Sequence, residues 1–144
     1  MRHDLVLRLL ARLLIPFILL FGLYVQFHGD FGPGGGFQAG VIIAAGFIFH
    51  ALIFGLDSLR RVLPEPLVEK CLALGVLIYA GVGVISMLLG ANFLDYSVLD
   101  HDVIHGQHRG IFWVEVGVAV TVASVMLKIF FMFAARGRDD DLAE

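Results

Sequence analysis

The sequence predicts an all-α integral membrane protein, a bundle of four transmembrane helices with both termini in the cytoplasm, and three observations carry that prediction. Hydrophobic residues make up 59% of the 144 and charged residues only 16%, with a mean hydropathy of +0.90, which is more apolar surface than a soluble fold can hide. The apolar residues gather into four long runs without period-two alternation, and in lipid only a helix or a closed barrel satisfies its own backbone. Nine of the ten Lys and Arg residues lie on one side of those runs, and positively charged loops stay cytoplasmic. A crossing takes about 20 helical residues, so the length allows about four or five spans and no separate soluble domain. Residues 1–144 therefore read as one membrane domain.

The first span covers 5–27. Arg2, Arg8 and Arg12 near its start give it the look of a secretory signal, but the run is long and no small-residue cleavage site follows, so it is expected to stay as a helix. A Gly-rich turn, Gly29 to Gly35, leads to the second span, 36–56. A charged connection from Asp57 to Lys70, holding Pro64 and Pro66, precedes the third span, 72–94. A polar loop from Asp95 to Arg109 precedes the fourth, 111–133. The short polar tail 134–144 carries Asp139, Asp140, Asp141 and Glu144, which supply much of the net charge of −3. That tail reads as solvated, and nothing in the charge pattern points to nucleic acid. The basic residues put both ends and the second connection inside, with the Gly-rich turn and the 95–109 loop outside.

The densest local signal joins the first two spans: His28, Gly29, Asp30, Phe31, Gly32, Pro33, Gly34, Gly35, Gly36, Phe37. A phosphate cradle would need Walker spacing, its Lys and a preceding strand, all missing here. The geometric account is stronger. Pro33 fixes one φ angle, and the glycines let the chain turn sharply and approach a neighbouring helix. Gly36, Gly40 and Ala44 then recur every four residues, a small-residue face on which another helix can pack closely.

At this motif the chain resembles the B subunit of multisubunit Mrp-type (Mnh) cation/proton antiporters, whose signature is a His-Gly turn followed by Pro-Gly-Gly-Gly-Phe. Here it is His28, Gly29, Pro33, Gly34, Gly35, Gly36 and Phe37. The resemblance extends over essentially the whole chain, through Leu63-Pro64, Asn92-Phe93-Leu94, and a carboxylate-x-Gly-Val pattern at Glu115 to Val118. Ala39 stands where the family commonly has glycine, Glu115 where many members have aspartate, and the outer loop departs from the pattern. The resemblance implies a hydrophobic subunit that assembles with large antiporter-like subunits, which hold the proton-translocating residues, and with small membrane subunits, in a prokaryotic inner membrane. Na+ and H+ would be the ions moved by the complex.

The chain has little chemistry of its own. A proton relay needs several ionisable groups along the midplane, and the spans offer Glu115, His50 and Lys128. Glu115 near Trp113 reads either as a cation or proton contact at a subunit boundary or as a hydrogen-bonded carboxyl near the headgroups. Lys128 lies thirteen residues further along, roughly 20 Å at 1.5 Å per residue, too far to pair with Glu115; snorkelling to the interface explains it. His50 reads first as a hydrogen-bonded core histidine and second as a relay member. His101, His105 and His108 could converge on zinc if their loop were helical, but Gly106 is expected to break such a helix and no thiolate joins them. Cys71 is the single cysteine. No catalytic residue, cofactor or metal is expected.

The leading expectation is thus a small accessory subunit of a monovalent-cation (Na+)/proton antiporter, not an enzyme, that supports assembly and lines part of an ion path. Two alternatives stay open: the equivalent subunit of a membrane-bound hydrogenase or related ion-pumping oxidoreductase, and a self-contained oligomeric channel.

Overall fold

The computed structural model describes residues 2–29 and 34–141, and every regular element among them is helical. Helix α1 is Arg2–His28, α2 Gly36–Phe54, α3 Leu56–Val62, α4 Glu65–Leu88 and α5 Val103–Asp141, with one 3-10 turn at Tyr96–Val98. Four of these, α1, α2, α4 and α5, are long and apolar enough to cross a membrane. The expected all-α fold with four candidate spans is the one found.

Helix α5 is the centre of the bundle, with α4 along one side, α2 along another, and α1 resting mainly on α2. Glycine makes these approaches close. A β-carbon on Gly75 of α4 would stand 2.8 Å from the Gly117 carbonyl oxygen of α5, and one on Gly117 would stand 2.9 Å from that of Gly75. Lipid tails are as apolar as leucine, so helices in a bilayer are held by such contacts rather than by exclusion of water. Ala44, Ala51, Leu59, Val68, Leu127 and Phe131 form the buried core at one end of the bundle, and Val25, Ala39 and Ala119 at the other. The outward faces carry large exposed side chains such as Leu9, Leu77 and Phe133.

The element boundaries follow from backbone chemistry. Helix α2 ends at Gly55, whose φ of +91° an L-residue rarely adopts. The second connection, expected to be a turn, instead holds α3, and α4 begins at Glu65 rather than Leu72. Pro66 permits this, because a first-turn residue has no intrahelical partner for its N–H. Helix α4 stops at Leu88, before the expected Leu94. The Gly90 N–H (φ +88°) bonds the Met87 carbonyl at 3.0 Å and the Ala91 N–H bonds that of Ser86 at 3.1 Å, the two bonds of a Schellman cap. The chain then folds back, and the Phe93 ring occupies the space that a side chain on Gly83 would need.

The expected helix break at Gly106 does not occur. Asp102 starts α5, its Oδ1 accepting the Ile104 N–H at 3.1 Å, and the helix runs straight through Gly106. What glycine supplies there is room: a β-carbon would stand 2.6 Å from the Tyr96 carbonyl oxygen. The 3-10 turn that packs on this face is capped by Asp95, whose Oδ1 accepts from the Ser97 hydroxyl at 2.5 Å and its N–H at 3.2 Å. Those bonds, the hydroxyl's first, hold the Asp95 carboxyl below its ordinary range.

Candidate functional site

The structure joins the two strongest signals of the sequence, the Gly-rich turn and Glu115, into one site. Gly29 follows the last turn of α1, and Gly34 and Gly35 lead into α2. Gly35 (φ +124°) donates its N–H to the Val25 carbonyl at 3.3 Å, pinning the start of α2 against the end of α1. Against this corner lies α5 at Glu115. A β-carbon on Gly29 would stand 2.7 and 3.0 Å from the two Glu115 carboxylate oxygens, and one on Gly35 would stand 3.2 Å from Oε1. At Gly36 it would fall on the Glu115 main-chain carbonyl oxygen, and one turn on, at Gly40, it would stand 2.7 Å from that of Ala119.

Each glycine therefore has a specific tenant for the space its side chain would fill. The Gly36, Gly40 and Ala44 face predicted to receive a helix receives α5 of the same chain. The carboxyl of Glu115 sits at the amino end of α2, where unpaired first-turn N–H groups and the helix dipole favour negative charge. Glu115 is half-buried, and around it His28 stacks on Tyr24 at 5.2 Å, Phe27 on Phe112 at 6.0 Å, and Trp113 meets Phe112 edge-on. Phe37 points outward, 64% exposed. Pro33 and its neighbours Asp30, Phe31 and Gly32 lie outside the described residues.

His50 is not part of this site. It is fourteen residues beyond Gly36 on α2, roughly 21 Å at the helical rise. Its Nε2 is 3.1 Å from the Ser58 hydroxyl and its ring lies 4.9 Å from that of Phe54, over which the Arg12 guanidinium sits at 5.7 Å. Lys128 has partners that the sequence reading missed. Its Nζ donates to Glu69 at 2.5 Å and lies 3.7 Å from Glu65, which pairs in turn with Arg60 at 2.9 Å. The four charges tie α3, α4 and α5 together. Their signal was the i, i+4 pair Glu65 and Glu69 on one face of a helix that reading placed in a loop.

The three histidines between 101 and 108 spread rather than converge. His105 pairs with Asp102 at 3.1 Å, Arg109 with Asp100 at 3.1 Å, and His101, His105 and His108 are all exposed. Among the described residues no three His, Cys, Asp or Glu side chains gather as a metal site.

A family profile described as "Domain related to MnhB subunit of Na+/H+ antiporter" matches residues 6–128. Similar proteins are named as antiporter subunit mnhB2. That of Staphylococcus haemolyticus is 32% identical over 130 residues, spanning 88% of this chain and 92% of the relative. That of Staphylococcus epidermidis is 30% identical over 134 residues, with the same coverage. That of Staphylococcus aureus is 34% identical over 130 residues, spanning 83% of this chain and 92% of the relative. The matched region holds the Gly-rich turn, the second and third candidate spans, most of the first and fourth, and Glu115, and the chain belongs to the family of the MnhB subunit of Na+/H+ antiporters.

Proposed function

We propose that this chain serves its Na+/H+ antiporter complex as an accessory subunit that fixes one carboxylate, Glu115, at a subunit boundary, where it lines part of the path of the exchanged ions. The observation that carries this reading is the enclosure of the Glu115 carboxyl by Gly29 and Gly35 at the amino end of α2. A carboxyl at membrane depth is costly unless partnered, so such residues mark ion or proton routes by default. His50 and Lys128 lie too far along their helices to form a relay with it, and the remaining steps belong to other subunits. The partners are the large antiporter-like subunits and the small membrane subunits, in a bacterial cytoplasmic membrane.

The chain acts as a transporter subunit rather than as an enzyme, and neither a hydrogenase subunit nor a lone channel is favoured by relatives named for antiport. Purification of the tagged chain in mild detergent tests this. Large antiporter subunits should accompany it, and the chain alone should not exchange Na+ for protons in vesicles. Redox subunits in the preparation, or exchange by the chain alone, would sink the reading.

Orientation belongs to the same proposal, with the Gly-rich turn outside and the Arg60, Glu65, Lys128 and Glu69 cluster inside, as the basic residues direct. A cysteine replacing His105 should react with an impermeant thiol reagent added to intact cells, and one replacing Arg61 should not. Reversed labelling would invert the arrangement.

A further inference from the structure

Arg12 is an exposed cation set within an apolar helix. Counted from Leu5, where the first candidate span begins, it lies roughly 10 Å along at the helical rise. A charge so placed is costly unless it is partnered, and among the described residues no carboxylate forms an ion pair with it. Its guanidinium is held over the Phe54 ring, 5.7 Å from the centroid. Phe54 is the last residue of α2, so the charge stands at the level where α2 ends and α3 begins. A cavity of about 310 Å³ opens at this corner, lined by Arg12, Ile15 and Pro16 of α1, His50 and Phe54 of α2, and Ser58 of α3.

Three kinds of polar group meet there. Arg12 brings a planar fork of donors that matches two phosphate oxygens. Ser58 brings a hydroxyl, 3.1 Å from His50 Nε2; with the proton on Nε2 the ring donates to the Ser58 oxygen and leaves the hydroxyl hydrogen for a ligand. Pro16 has no N–H, so the Arg12 carbonyl loses the donor that a helix supplies four residues on, and it stands as an acceptor. Beside these groups α1 turns apolar side chains outward, Leu13, Phe17 and Leu20 among them.

Water would hydrate the guanidinium and leave the apolar wall bare. A carboxylate from another chain would match the cation and leave the Arg12 carbonyl unmet. A phospholipid answers all three needs, with phosphate for the cation, a headgroup hydroxyl for the carbonyl and acyl chains for the α1 face, and basic pockets between membrane helices are where such headgroups bind. We propose that this corner binds one anionic phospholipid with a hydroxyl-bearing headgroup, its phosphate on Arg12 and Ser58. The bound lipid ties α1, which packs mainly on α2, to the α2–α3 corner. This needs only that the chain spans a membrane, and it stands apart from the antiporter reading.

The probe is phosphatidylglycerol offered in equal amount with phosphatidylcholine to the purified full chain in detergent, with retained lipid read by native mass spectrometry. Phosphatidylglycerol should be retained over phosphatidylcholine by at least roughly tenfold, as a charge-assisted bidentate contact gives. Arg12→Gln should remove that preference, and Arg12→Lys, which keeps the charge without the fork, should retain more than Arg12→Gln. Ser58→Ala, on another element, should lower retention roughly threefold, the worth of one neutral hydrogen bond. Arg61→Gln, an equal loss of charge on α3 where the guanidinium meets only the Asp57 carbonyl, should bind as the parent does.

Equal retention of the two lipids would overturn the proposal. Equal losses in Arg12→Gln and Arg61→Gln would overturn it too, because general surface charge would then account for binding. Displacement of phosphatidylglycerol by excess inorganic phosphate would mean a phosphate site rather than a lipid site. If Arg12→Gln left lipid retention unchanged and broke assembly of the purified complex, the corner would belong to a carboxylate of another subunit, and the lipid site would fall.

Discussion

Gly36→Leu should abolish incorporation of the chain into its complex, and Gly36→Ala should already reduce it sharply. The β-carbon of either residue falls on the Glu115 main-chain carbonyl oxygen, and a backbone atom inside a helix cannot swing aside as a side chain can. Overpacking where neighbours do yield costs about 1–3 kcal/mol, so a clash with backbone lies at or beyond the upper end. Even about 2 kcal/mol lowers an assembled population roughly thirtyfold. Helices α2 and α5 must then separate at the level where the Gly-rich turn meets them, and the surface offered to other subunits is lost. Gly81→Ala is the control, since nothing lies within 4 Å of its added carbon and alanine suits a helix better than glycine. Native electrophoresis of the solubilised complex would measure both. Normal assembly of Gly36→Leu with exchange lost would mean that the turn belongs to the transport path, and the packing account would fail.

Glu115→Gln should lower Na+-dependent proton exchange in membrane vesicles by at least roughly tenfold, equivalent to about 1.4 kcal/mol in a barrier, with assembly intact. Glutamine keeps the size and most of the hydrogen bonding of glutamate and removes the charge. Glu115→Ala removes both, and should match glutamine in lost exchange. If the carboxyl served only as a hydrogen-bonded tie between helices, the pattern would invert, with glutamine near normal and alanine poor in assembly. The site favours the first outcome, because the α2 amino end is arranged for an anion and the close steric fit there is already provided by glycine and backbone. Full exchange with alanine would remove Glu115 from the mechanism.

The four helices were legible because hydropathy is the one property a bilayer cannot leave ambiguous, and helix is the only open-chain answer to it. The Gly-rich turn was legible as a close-packing element, since successive glycines have few other uses. Its tenant was not. Glu115 stands some eighty residues from Gly35 in sequence, and no periodicity links a turn after α1 to one face of α5. The same holds for Lys128, whose partners Glu65 and Glu69 are on α4. Gly106 misled for a related reason: it reads as a helix breaker until the Tyr96 carbonyl is found packed against it.

The central claim is that the turn and the carboxylate act as one unit, and Gly29 tests it most directly. An alanine methyl there would stand 2.7 and 3.0 Å from the Glu115 oxygens, so Gly29→Ala must displace the carboxyl while leaving its charge. Glu115→Asp withdraws the carboxylate by one methylene and makes room. The measurement is the rate of Na+-dependent proton exchange in vesicles holding the parent, each single variant and the double variant, normalised to assembled complex. Coupled residues depart from additivity where independent ones do not. The account predicts that Gly29→Ala alone is strongly impaired and that Gly29→Ala with Glu115→Asp exchanges faster than Gly29→Ala alone. A double variant whose loss equals the product of the two single losses would contradict it.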